Sequence, residues 1–128
     1  MPSTRFETAE GWIAGRYAEI AAALQQALVA SIKIPETDRN IRFLEYPAAA
    51  FLPPPGKGPK FSVIEISLFT GRSLDAKRRL YAALAEAMAP FGLSADDLTI
   101  ILVEVPRENW GLRGKAATDI ELGFKIDV

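Results

Sequence analysis

The sequence contains no cysteine and no histidine. Without cysteine there is no disulfide, no thiolate metal site and no cysteine nucleophile. Without histidine, the serine–histidine pair of many hydrolases, the usual general base at neutral pH and the commonest metal ligand are gone as well. Catalysis must then run on carboxylates, lysine, arginine, tyrosine or the chain's own terminal amine, and neither a metal nor a cofactor is expected. An excess of one charge is also lacking: 15 Lys+Arg against 16 Asp+Glu leave a net charge of −1. With no broad positive field, neither nucleic acid nor an acidic membrane is an expected partner. Long apolar runs are missing too. The longest segment, residues 12–32, is interrupted by Arg16, Glu19, Gln25 and Gln26, and residues 1–12 hold no apolar signal core. The expectation is a soluble, cytoplasmic protein.

What is present suits one globular domain: 128 residues, 49% hydrophobic and 24% charged. An internal repeat organises it. Shifted by 59 or 60 positions, Ala23–Leu28 falls on Ala83–Met88, Leu44–Pro47 falls on Val103–Pro106, and Phe51 falls on Trp110. The pseudo-repeats run over about 1–52 and 61–112, joined by a proline-rich connector at 53–60. That connector lacks the first Gly and the Ser/Thr of a phosphate-binding loop. It reads as a stiff link, with a polyproline ligand as the other reading.

Each half reads as β-α-β. In the second, Phe61–Phe69 is strand-like, Ser73 offers a helix N-cap, Leu80, Leu84 and Met88 recur at helical spacing, and Thr99–Val105 is the next strand. In the first, a short strand near Ser3–Glu7 precedes a helix from about Trp12 to Ser31 and a strand Ile41–Tyr46. Two such units predict an α+β, two-layer sandwich: a four-stranded mixed sheet with two helices on one face. Both second-half strands are apolar on either side, so the uncovered face should be buried between copies of the chain. The alternation Ile120, Leu122, Phe124, Ile126, Val128 predicts a C-terminal strand over about 119–128.

Four positions draw chemical interest, each with two readings. Pro2 would become a secondary amine once Met1 is removed, and an α-amino group titrates near ~8, within reach of acid–base work at neutral pH. Otherwise it is an ordinary residue after an initiator Met. Arg72, in Thr70-Gly71-Arg72-Ser73, stands where a strand hands over to a helix and suits a carboxylate or phosphate. Otherwise it is a surface arginine with a local partner. Asp38 is a turn residue or a carboxylate that orients water. Trp110 is a core or interface residue or a pocket wall. Lys77-Arg78-Arg79 reads as a solvated helix face.

Together these stretches resemble the tautomerase superfamily, and within it malonate semialdehyde decarboxylase and its relatives. The matching segments are Pro2 with Arg5-Phe6, Glu10-Gly11, Pro35-x-x-Asp38-Arg39, Gly71-Arg72-Ser73, Leu93-Ser94-x-Asp96-Asp97, and Val103-Glu104 with Trp110 and Gly114. They span the whole chain, and the spacing from Pro2 to Asp38 fits the decarboxylase without a gap. The resemblance implies the tautomerase fold, a homo-oligomer (a trimer) and an amino-terminal proline as catalytic acid or base. It implies catalytic roles for Pro2, Asp38 and Arg72, and substrate-binding roles for Arg72, Trp110 and Arg39. One departure stands out. The decarboxylase and the related haloacrylate dehalogenases carry a second arginine two or three residues before that of Arg72, where this chain has Thr70 and Phe69. The expected activity is therefore keto–enol tautomerisation of a small keto/enol or 3-oxo carboxylic acid. The alternatives are decarboxylation or hydration of the decarboxylase type, and a non-catalytic oligomeric binding protein.

Overall fold

A computed structural model describes residues 2–126 and residue 128. Met1, whose removal would free the Pro2 amine, and Asp127, in the alternating tail, lie outside the described residues. The first half comprises β1 (Ser3–Ala9), α1 (Tyr17–Ile32) and β2 (Ile41–Tyr46); the second comprises β3 (Ser62–Phe69), α2 (Leu74–Met88) and β4 (Leu98–Val105). The strands form one sheet in the order β2-β1-β3-β4. β1 runs parallel to β2, β3 runs parallel to β4, and β1 and β3 meet antiparallel at the centre. This is the mixed, four-stranded sheet that two β-α-β units predict.

Both helices pack on one face. Phe6, Ile64, Ile66 and Leu68 of the central strands are fully buried against Ile20, Leu24, Leu28 and Ile32 of α1 and Leu80, Leu84 and Met88 of α2. Those helical residues recur every four positions, which puts them on one stripe. Ser73 caps α2, its Oγ accepting from the Ala76 N–H at 3.1 Å. α1 starts later than the apolar pattern predicts, at Tyr17 rather than Trp12. Gly11 (φ +116°) and Gly15 (φ +79°) bend residues 10–16 into a loop that still sends Ile13 into the core.

The repeat extends to the backbone after each outer strand. Pro47 (φ −53°, ψ 143°) and Pro106 (φ −58°, ψ 144°) each lead into a single 3-10 turn, and each turn ends on an extended aromatic residue, Phe51 and Trp110. The open sheet face is polar at its centre, where Arg5 meets Glu7 at 2.8 Å and Glu65 at 2.9 Å. Towards the edges it is apolar, with Leu44, Ile101 and Val103 exposed.

The segment after Trp110 departs from expectation. A two-strand hairpin, β5 (Gly111–Leu112) with β6 (Lys115–Ala116), is followed by a 3-10 turn, Ala117–Asp119. No strand follows over residues 120–126. The alternation survives as burial, with Ile120, Leu122, Phe124 and Ile126 half-buried and the residues between them exposed. A strand needs a neighbour for its backbone hydrogen bonds, and among the described residues none of the strands pairs with the tail.

Candidate active site

One end of the sheet gathers the sequence-predicted residues. Because β1 and β3 are antiparallel while each is parallel to its outer strand, the starts of β1 and β2 lie at the same end as the finishes of β3 and β4. Pro2 is buried there, immediately before β1. Close by, the Thr4 N–H donates to the Asn40 carbonyl at 2.9 Å and ties β1 to the loop that brings in β2.

Asp38 belongs to that loop. Its backbone N–H closes a turn onto the Pro35 carbonyl at 3.0 Å. Gln25 of α1, itself buried, donates its amide Nε2 to the carbonyls of Glu36 at 3.3 Å and of Asp38 at 3.2 Å. The helix therefore holds the aspartate's backbone from behind. Burial pushes the Asp38 carboxyl above the ordinary range of an aspartate, and the Arg72 guanidinium pulls the other way.

Arg72 follows Gly71, whose φ of +135° lets the chain turn from β3 towards α2. The tail crosses here: a Cβ at Gly71 would stand 3.1 Å from Cγ2 of Ile126. Arg72 is only 5% exposed, and its Nε, Nη1 and Nη2 are all buried with no hydrogen-bond partner among the described residues. Burial lowers its pKa, while Asp38 and Glu104 draw it back up. Glu104 is already engaged by Lys77 Nζ at 2.7 Å. An arginine has five donors and stays charged in proteins. Buried with none of them satisfied, it is set to take an anion that fits its planar fork.

The other two sequence-predicted residues stand apart. Trp110 is half-buried at the base of the β5–β6 hairpin, edge-on to the buried Phe69 with ring centroids 4.9 Å apart. Arg39 follows Asp38 in sequence but lines a separate, larger groove of about 670 Å³ with Gln25 and Val29 of α1. That groove is lined by none of Pro2, Asp38 and Arg72. A smaller cavity of about 230 Å³ does contain Asp38, between Pro35, the hairpin residue Arg113 and the tail residues Glu121, Leu122 and Phe124. Sequence reasoning missed Gln25, which is visible only as a polar interruption on a helix.

The opposite end of the sheet shows what this end has gained. The pairings Thr4↔Ile41 and Ile64↔Ile100 are equivalent under the repeat. They match Pro2 with Ser62, Asp38 with Asp97 and Arg72 with Trp12. Ser62 Oγ donates to the Lys60 carbonyl at 2.8 Å, Asp97 Oδ1 accepts from the Gly58 N–H at 3.1 Å, and Trp12 Nε1 donates to Thr8 Oγ1 at 2.9 Å. The carboxylate recurs, but there it serves the connector, and Ser62 and Trp12 stand where Pro2 and Arg72 would.

Among the described residues no helix is long and apolar enough to cross a membrane, and no group of three or more acidic side chains is placed to hold a metal. Comparison with known proteins gives a consistent family. The family model described as "Tautomerase enzyme" matches residues 38–113, a span that contains Asp38, Arg72, Trp110 and Arg113. A probable tautomerase of Ralstonia nicotianae is 34% identical over 53 residues, covering 41% of this chain and 76% of that protein. The crystal structure of native fused 4-OT is 27% identical with a TM-score of 0.83, over 92% of this chain and 98% of that one. A malonate semialdehyde decarboxylase inhibited by 3-bromopropiolate is 26% identical with a TM-score of 0.73, over 91% and 92%. A second fused 4-OT, described as an asymmetric trimer, is 26% identical with a TM-score of 0.81, over 91% and 97%. By sequence and by fold, this chain belongs to the tautomerase superfamily.

Proposed function

We propose that the chain is a keto–enol tautomerase for small 2-oxo or 3-oxo carboxylic acids, with Pro2 as the proton-transfer group once Met1 is removed. The observation that carries this reading is the buried Arg72 guanidinium, all three of its nitrogens unbonded among the described residues, at the sheet end that also holds Pro2. Arg72 binds the acid group. The neutral Pro2 nitrogen takes a proton from the carbon alpha to the carbonyl, and the electron pair of that C–H bond moves onto the carbonyl oxygen. The protonated amine passes the proton to that oxygen, which gives the enol and the neutral amine again; ketonisation runs the same steps in reverse. A cation that neutralises the acid also favours the enolate that develops beside it. Asp38, raised by burial, helps set how readily the amine holds its proton. Trp110, packed on Phe69, and Arg39, in the neighbouring groove, would in this reading contact the substrate only where it extends beyond the small cavity that holds Asp38.

The same reading takes the working unit as a homotrimer. The exposed Leu44, Ile101 and Val103 of the open sheet face would then be covered by neighbouring copies. The trimeric fused 4-OT relative supports this assembly.

Decarboxylation of malonate semialdehyde is the second reading, favoured by Asp38 standing inside the small cavity at this end. Against it, Thr70 and Phe69 leave the strand end with a single arginine, and clamping a carboxylate while polarising its neighbouring carbonyl asks for more positive charge than one cation gives. The two readings separate in one assay. Ketonisation of phenylenolpyruvate without carbon dioxide release from malonate semialdehyde supports tautomerisation; release dependent on Pro2 and Asp38 supports the alternative. Arg72→Ala should raise KM for the acid and, because the guanidinium also favours the enolate, lower kcat. An oligomer that binds the acid without turning it over, at full removal of Met1, would leave the non-catalytic reading in place.

A further inference from the structure

The strand end carries Thr70 and Phe69 where a second arginine would stand, yet a cation from elsewhere in the chain lines the cavity that holds Asp38. Arg113 sits at the tip of the β5–β6 hairpin, where Leu112 pairs with Lys115 and only Arg113 and Gly114 form the loop. Both loop residues have positive φ, +51° at Arg113 and +75° at Gly114. Two consecutive positive values mark the hairpin turn that favours Asn, Asp or Gly at its first position. An arginine there works against that preference, and residues held in unfavoured backbone regions gather at functional sites. The hairpin is also firmly based. The Ala117 N–H donates to the Trp110 carbonyl at 2.8 Å, and the Trp110 ring packs on Phe69 at the end of β3.

Among the described residues, the cavity into which this hairpin projects holds two carboxylates, Asp38 and Glu121, and Arg113 is the one cationic side chain lining it. An anionic substrate entering beside two carboxylates is repelled unless positive charge accompanies it. Arg72 supplies some from the buried side. The open side has Arg113.

We propose that Arg113, presented by the hairpin turn, is the second carboxylate-binding arginine of this site, contacting the substrate's acid group from the solvent side. It is a specificity residue: it selects acids over their neutral esters. The inference rests on the acid-binding reading above, and the test is built so that the two can fail separately.

Asparagine suits the turn's first position, so Arg113→Asn removes the charge while keeping the hairpin. Binding of phenylpyruvate and of its methyl ester is measured by calorimetry on wild type, Arg113→Asn and Arg113→Lys, each also carrying Pro2→Ala so that no turnover intervenes. Loss of a charge-assisted contact should weaken acid binding roughly 10- to 100-fold in Arg113→Asn. The ester should be unaffected, and Arg113→Lys should recover part of the loss. Equal weakening of acid and ester, or no weakening of either, overturns the proposal. So does a wild-type site that binds neither. If acid binding depends on Arg113 while the Pro2-intact protein turns nothing over, the role of Arg113 stands and the tautomerase reading falls.

Discussion

Replacing Arg72 by methionine should make the protein more stable and less able to bind acids, and the pairing of the two effects is what tests its role. Methionine keeps the unbranched stem and fills a similar space without polar atoms. The guanidinium it removes is 5% exposed, and its three nitrogens are unbonded among the described residues. Leaving a buried donor unsatisfied costs about 1–3 kcal/mol, and more for charged groups. Against that gain stands the lost attraction to Asp38 and Glu104, which oppose the burial effect on Arg72 only in part. A net stabilisation of about 1–2 kcal/mol follows, equivalent to roughly 3–10 °C in Tm for a chain of this size. Asp38 adds a pH signature: without Arg72 its charged form is less favoured, so the gain should be larger at pH 5 than at pH 8. The assay is thermal unfolding of both proteins at the two pH values, together with KM for a 2-oxo acid. A variant that is less stable with KM unchanged would mean that Arg72 is a structural residue, and the acid-binding argument would fail.

Three further outcomes follow from the same geometry. Asp38→Asn should gain stability relative to wild type as pH rises above about 4, because a carboxyl with a raised folded pKa binds its proton more tightly when folded, and the cost of ionising it grows with pH; urea unfolding at pH 3 and pH 7 reads the difference, which should vanish at pH 3. Gln25→Leu should cost about 1–2 kcal/mol through loss of its two bonds to the Glu36 and Asp38 carbonyls. It should also shift the acidic limb of the kcat/KM profile, as a merely structural loss would not. Gly71→Ala should destabilise by about 1–3 kcal/mol, since φ of +135° is strained for any side chain and the new Cβ meets Ile126 at 3.1 Å; proteolysis of the tail should accelerate in parallel with the fall in Tm.

The parts of the fold legible in the sequence are those fixed by local pattern. β3 and β4 are continuous apolar stretches that form within a residue of their expected bounds, and α2, with Leu80, Leu84 and Met88 at helical spacing, starts directly behind its cap at Ser73. The first turn of α1 was not legible, because Trp12 and Ile13 continue the apolar pattern while Gly11 and Gly15 set the backbone. The tail misleads for a related reason: its period of two reports which side chains are covered, and strand formation depends on a neighbour that periodicity does not encode. At the site, Pro2, Asp38 and Arg72 are each ambiguous alone and are singled out by the family resemblance, and the sheet brings them to one end. Ile126, which meets Gly71 beside Arg72, lies more than fifty residues downstream, and the cavity lining that Arg113 shares with Asp38 depends on a hairpin turn. Neither leaves a local trace. Trp110 and Arg39 carry the residue types of a site, yet one packs on Phe69 and the other faces a different groove.

The most direct test of the central claim is the kcat/KM of Pro2→Ala for phenylenolpyruvate ketonisation, on protein whose intact mass shows Met1 removed. General acid–base catalysis by a positioned group contributes about 10²–10⁴-fold, so the variant should lose at least two orders of magnitude while its fold and acid binding persist. Wild-type activity in Pro2→Ala would contradict the account, and the proton would have to be moved by some other group at this end of the sheet.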